Sequence, residues 1–142
     1  MTERLELLLC DLESPEGARI PVEEVRARDA TGSFAILPGH ADFVACLVPS
    51  LVEWREPGGR RAFAGVPGGI LRVVGGRCVE ILGRRVYRGD SAAAVASSLA
   101  DAMHRDSAAA EGARHAIDRL EAEIVGNLVR RKSGPQSGTA SP

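Results

Sequence analysis

His40 and Asp42, in the run Gly39-His40-Ala41-Asp42, are the closest approach to an acid–base pair in the chain. A histidine near a carboxylate can move protons or hold a metal. Here no serine, cysteine or threonine nucleophile accompanies the pair, and two residues of spacing do not build a triad. The other histidines, His104 and His115, fall far along the sequence, so His40 is expected to serve a structural or interface hydrogen bond. The three cysteines, Cys10, Cys46 and Cys78, are odd in number and widely spaced. That pattern fits reduced, buried thiols of a cytoplasmic protein rather than a disulfide or metal framework. Gly65-Val66-Pro67-Gly68-Gly69 lacks the Lys-Ser/Thr that would make it a phosphate loop, and neither Gly-x-Ser-x-Gly nor His-Glu-x-x-His occurs. The expectation is no catalytic residue, no metal site, no cofactor and no enzyme activity.

Composition narrows the alternatives. A formal net charge of -1 lacks the basic excess of a nucleic-acid binder. Hydrophobic residues at 44% and charged residues at 26% are those of a soluble globular chain. The longest apolar stretch, Phe43 to Val48, is far short of a bilayer span. The start, Met1-Thr2-Glu3-Arg4, lacks the basic-then-apolar pattern of a secretory signal.

Two different periodicities position these residues. Up to about residue 88 short runs alternate apolar and polar, as in Val25-Arg26-Ala27-Arg28, Val52-Glu53-Trp54-Arg55 and Cys78-Val79-Glu80-Ile81. Turn residues separate them. Pro57-Gly58-Gly59 divides two strands, and Gly75-Gly76 between Ile70–Val74 and Arg77–Leu82 is a hairpin signal, since both glycines can take positive φ. Gly32 allows a tight entry to a strand over Phe34–Ile36, Pro38 ends it, and Gly39 permits the reversal that follows. Gly68-Gly69 removes side chains where a backbone bends or another approaches. This pattern predicts an antiparallel β-sandwich of about ten strands over residues 1–88.

From residue 89 to 131 the period becomes helical. Val95, Leu99 and Met103 form one stripe; Ile117, Leu120, Ile124 and Leu128 form a second. Asp90 or Ser91 is the expected N-cap. Arg105-Asp106-Ser107 is where a break would fall, with Ser107 able to cap a second helix. No Gly or Pro enforces it there, and Ala110 and Ala113 keep the stripe nearly continuous, so a helical hairpin and one long helix both stand. Sparse large apolar residues offset little of the entropy of ordering such a segment, which is therefore stable when docked and free to change partners. Residues 132–142 have no periodicity and are expected to be a disordered tail. The fold class is thus α+β.

The segment Gly32-Ser33-Phe34-Ala35-Ile36-Leu37-Pro38-Gly39-His40-Ala41 resembles the signature of the epsilon subunit of F-type ATP synthases. Val66-Pro67-Gly68-Gly69-Ile70-Leu71-Arg72-Val73 resembles that family's second, Gly-Gly-led strand, and the order of sheet before helices agrees. The resemblance covers residues 1 to about 130. Val25–Gly32, Pro38–Phe43 and Val86–Asp90 are also similar to epsilon subunits of the alternate bacterial F-type ATPases called N-ATPases.

The resemblance implies a non-catalytic part of the central stalk, peripheral to the cytoplasmic face of the bacterial inner membrane. It implies contacts with the gamma subunit and the c ring through Ser33, Phe34, Leu37, Pro38, Gly39, His40 and Ala41. Many members have Glu where this chain has Ser33, which removes any contact that needs that carboxylate. Some members bind ATP through Asp-x-x-Arg-Ala at the start of the first C-terminal helix; here Ala93, or Ala96 in a gapless alignment, stands at the Arg position, implying no regulatory ATP site. The family also inhibits ATP hydrolysis through C-terminal helices that reach the alpha and beta subunits. Arg114, Arg119, Arg130 and Arg131 fit such a role and equally fit a solvated helix end that complements the dipole. A generic β-sandwich adaptor with a helical tail is the alternative outside the family.

Overall fold

The computed structural model describes residues 4–89 and 91–133, with side chains as far as Gly126. Ten strands precede one helix: β1 Leu5–Cys10, β2 Ala18–Val22, β3 Glu24–Asp29, β4 Gly32–Ile36, β5 Phe43–Leu47, β6 Ser50–Arg55, β7 Arg61–Val66, β8 Gly69–Val74, β9 Cys78–Leu82, β10 Tyr87–Gly89 and α1 Ala92–Ser133.

Alternation decides which side chains point inward. Val25 and Ala27 of β3 are buried while Arg26 and Arg28 are exposed. Val52 and Trp54 of β6 and Val79 and Ile81 of β9 are buried in the same way. Each strand therefore has one face that must be covered, and the sheet meets the need by folding on itself. The strand order is β10-β7-β6-β3-β5-β8-β9-β1-β2, with β4 paired to β3 alone. β3 hands over from one layer to the other: its first half pairs with β6, and Asp29 at its end pairs with Leu47 of β5. Inner residues of both layers, among them Leu7, Val22, Ile36, Trp54, Val66, Leu71 and Ile81, form a single core.

One pairing departs from the expected antiparallel scheme. β1 runs parallel to β9, with Leu7 opposite Val79. A tight turn cannot join parallel neighbours, but seven strands separate these two in sequence, so no turn constrains them. Cys46 is exposed, and Cys10 and Cys78 are half-buried, so the expectation of buried thiols is corrected; all three are unpaired. They sit at the outward positions of an alternating pattern, where sequence identity says nothing of depth.

The loop β1–β2 is fixed to the chain before β10 by one carboxylate. Asp11, 8% exposed, accepts from the N–H groups of Glu13 (3.0 Å) and Ser14 (2.8 Å) through Oδ1 and of Val86 (2.9 Å) through Oδ2. Desolvation pushes its pKa up, but the three N–H donors and the nearby Arg85 charge outweigh that and hold it below the ordinary value.

Ser91 caps α1: its Oγ accepts from the Ala94 N–H at 3.1 Å. Asp90, the other expected cap, lies outside the described residues. α1 is one continuous helix through Arg105–Ser107, so of the two arrangements the long helix is found. It also runs through Lys132 and Ser133, which the sequence reading gave to the tail; residues 134–142 lie outside the described residues. The first stripe is Val95, Leu99 and Ala102, not Met103, which is 38% exposed. The reason is angular: i+7 returns to within about 20° of i on a helix of 3.6 residues per turn, whereas i+8 overshoots by about 80°. These residues seat on glycine. A Cβ on Gly65 would lie 3.1 Å from Leu99 Cβ, and one on Gly89 3.0 Å from Val95 Cγ2. Met1–Met103 consequently form one compact unit, and His104–Pro142 a second. Within the second, Ile117, Leu120, Ile124 and Val125 are 54–58% exposed, and the side chain of Leu128 lies outside the described residues.

Asp11→Ala should cost about 1 kcal/mol or more at neutral pH, because it removes the acceptor of three part-buried N–H donors. The contribution comes from a lowered pKa, so it is complete above the ordinary carboxylate value of 3.8 and is lost as pH falls below it. Urea denaturation of the two proteins should differ at pH 7 and converge below that value.

Candidate functional site

The signature residues of the Gly32–Ala41 segment lie along and beyond β4. At its start, Asp29 Oδ1 accepts from the Thr31 hydroxyl (2.6 Å) and N–H (2.8 Å), closing a two-residue hairpin in which Gly32 takes φ +129°. The Thr31 hydroxyl, then its N–H, hold the Asp29 carboxyl below its ordinary pKa. At the far end, the Leu37 carbonyl accepts from the His40 N–H at 3.1 Å, forming a turn through Pro38 and Gly39, where φ is +84°.

That turn is clamped to the β8–β9 hairpin. Gly39 N–H donates to the Gly76 carbonyl at 2.8 Å, and Asp42 Oδ1 accepts from the Gly75 N–H at 2.8 Å. Gly75 and Gly76 both take positive φ, 65° and 70°, as the hairpin signal requires. A Cβ on Gly76 would stand 2.9 Å from Gly39 Cα, so the two backbones touch. His40 is consumed in the same framework. Its Nδ1 lies 2.7 Å from the Ala41 carbonyl, which accepts, so Nδ1 carries the proton. Its ring meets Phe43 edge-on at 5.6 Å, and Phe43 meets Phe34 edge-on at 5.4 Å. Among the described residues no group of three His, Cys, Asp or Glu could hold a metal.

The candidate contact residues do not form one cluster. Ser33 is exposed beside the hairpin, Phe34 packs against the core, and about 13 Å of extended strand separates Ser33 from Leu37. Leu37 is 52% exposed, Gly39 and Ala41 are exposed, and Pro38 and His40 are half-buried. The loop thus offers a rigid apolar tip. Gly69 is needed for close approach, since a Cβ there would lie 2.5 Å from the Leu82 carbonyl oxygen, and Gly68 for its φ of +136°. Arg114 and Arg119 are exposed on α1; the side chains of Arg130 and Arg131 lie outside the described residues.

Sequence reasoning missed an apolar groove of about 460 Å³ between Leu12, Ile70 and Leu82, which are 75%, 49% and 55% exposed. A signal was available. Ile70-Leu71 and Ile81-Leu82 are adjacent apolar pairs, and on a strand one member of each must face outward. Ile70 and Leu82 are cross-strand partners and do so together. No helix among the described residues is long and apolar enough to cross a membrane.

Residues 10–89 match the family described as ATP synthase, Delta/Epsilon chain, beta-sandwich domain. The "ATP synthase epsilon chain 2" of Paraburkholderia xenovorans (strain LB400) is 42% identical over 106 residues, covering 75% of this chain and 76% of the relative. The "ATP synthase epsilon chain 2" of Cereibacter sphaeroides is 34% identical over 106 residues, covering 75% and 73%. Among solved structures, a chain of the Euglena gracilis mitochondrial ATP synthase, OSCP/F1/c-ring, superposes with a TM-score of 0.57 at 22% identity, over 71% of this chain and 64% of that one. A chain of the Tetrahymena thermophila mitochondrial ATP synthase central stalk/c-ring gives 0.51 at 14% identity, over 73% and 93%. At those identities the likeness is one of fold.

Gly76→Ala places a Cβ against backbone in a left-handed conformation, and should cost at least about 1–2 kcal/mol. Thermal denaturation should show a lowered midpoint; an unchanged one would mean the 37–41 turn is not held by this contact.

Proposed function

The chain belongs to the ATP synthase delta/epsilon family, as an epsilon chain, and from that premise we propose that it joins the gamma subunit to the c ring in the central stalk of a rotary ATP synthase or ATPase. It is a non-catalytic component of that complex. In this reading residues 1–88 are the rotor-contact domain, and the working complex holds them peripherally at the cytoplasmic face of the bacterial inner membrane. The supporting observation is the clamped tip Leu37–Ala41: an exposed Leu37 on a turn fixed by the Gly39–Gly76 hydrogen bond and the Asp42–Gly75 hydrogen bond. A part that transmits force needs a contact whose geometry is set before binding, so that little entropy is lost on docking.

We further infer that residues 89–131 are the movable, inhibitory part, reaching the alpha and beta subunits. The exposed apolar residues Ile117, Leu120 and Ile124, with Arg114 and Arg119 nearby, support that role. Similarity over Val25–Gly32, Pro38–Phe43 and Val86–Asp90 supports the N-ATPase type.

Leu37→Asp should leave the circular dichroism and melting temperature of the isolated chain unchanged, yet weaken its binding to a gamma–c ring complex about tenfold. Equal binding by both forms would remove the tip from the interface. A chain ending at Met103 keeps the buried contacts of Val95, Leu99 and Ala102. ATP hydrolysis by complexes assembled with it should rise several-fold if the helix inhibits, and stay level if it does not.

A further inference from the structure

Among the described residues three strands have a neighbour on one side only: β2, β4 and β10. Exposed strand edges attract other chains, and proteins ordinarily guard them. β2 carries Pro21 and Arg19, both exposed, and β10 has only three residues. β4, Gly32–Ile36, has no proline, lysine or other charge along its length. Its two-residue hairpin makes Asp29 and Gly32 a mutually hydrogen-bonded pair, so by the alternation of an antiparallel ladder Phe34 and Ile36 bond to β3. The N–H and C=O groups of Ser33 and Ala35 then point to the free edge. The opposite edge of β3 agrees with this phase, since the Arg28 carbonyl accepts from the Val48 N–H at 3.2 Å.

The same two residues line a groove of about 610 Å³ on the outer face, walled by Phe63 and crossed by Arg26 and Arg28. Arg26 is engaged by Glu24 at 2.7 Å, and Glu53 in the groove by Arg61. Arg28 faces Ser33 across the hairpin and makes no ion pair among the described residues. An uncommitted guanidinium thus sits beside two uncommitted N–H donors.

We propose that β4 is a docking edge, to which an extended segment of a neighbouring subunit adds as a further strand, with a carboxylate side chain of that segment held by Arg28. Strand addition supplies main-chain hydrogen bonds through Ser33 and Ala35, and the Arg28–carboxylate pair fixes the register. The inference rests on the reading of the chain as a stalk subunit and deepens it. A serine at position 33 belongs to this arrangement, because a carboxylate there would neutralise Arg28 across the hairpin.

Amide hydrogen exchange on the whole chain, alone and bound to a gamma–c ring complex from which it had been removed, tests the edge. Ser33 and Ala35 should exchange freely in the isolated chain and become protected on binding. Ala35→Pro removes an N–H that no bond among the described residues uses, and proline is tolerated on edges, so folding should be intact while binding weakens about tenfold. Arg28→Glu should weaken binding by at least about tenfold, and Arg28→Gln should flatten its salt dependence. Unprotected amides, wild-type binding by Ala35→Pro, or indifference to Arg28→Glu overturns the proposal. With any of these, a weakened Leu37→Asp leaves the stalk reading standing, whereas wild-type binding by Leu37→Asp removes the contact reading as well.

Discussion

Backbone rests on backbone where the turn after β4 meets the β8–β9 hairpin, and again where the start of β8 meets the end of β9. A side chain at Gly76 would break the contact with Gly39, and one at Gly69 the contact with Leu82. These contacts matter because they fix where one backbone lies on another: the turn after β4 on the β8–β9 hairpin, and the start of β8 on its partner β9. The core sets strand register through the alternation of buried and exposed residues, but it places no constraint on a turn that lies outside it. The hydrogen bonds Gly39 to Gly76 and Asp42 to Gly75 are directional and hold that turn to the hairpin. The shape of the exposed tip follows from that clamp.

Much of the sandwich was legible because its strands alternate cleanly. Val25-Arg26-Ala27-Arg28 has one possible inward face, and Gly75-Gly76 one natural role. What escaped was long-range. The parallel neighbour of β1 leaves no local mark, since either orientation buries the same side chains. The depth of the cysteines escaped for a similar reason: Cys46 occupies an outward position that pattern alone would have assigned, had cysteine not been weighed as an apolar residue. Gly65 looked like part of a failed phosphate loop, yet it is the floor on which Val95 and Leu99 rest.

The site was legible as a motif and not as a place. Residues 32–41 are contiguous in sequence, which invites treatment as one loop. An extended strand spreads them instead, so the hairpin end and the turn end face different surroundings. Helix α1 shows the same limit. Its stripes were visible, but a spacing of four repeated twice misplaced Met103, and nothing local distinguishes a chain that doubles back at Ser107 from one that continues.

β1 lies between β9 and β2, with Glu6 paired to Cys78. During synthesis the first strand to leave the ribosome must therefore wait for nearly the last. Until β9 emerges, β1 and β8 each expose an unsatisfied edge, and the core cannot close around Leu7 and Leu71. Vectorial synthesis offers such a topology only local hairpins such as β3–β4 at first; the closed core must come late, and the nascent chain is vulnerable to aggregation and proteases until then.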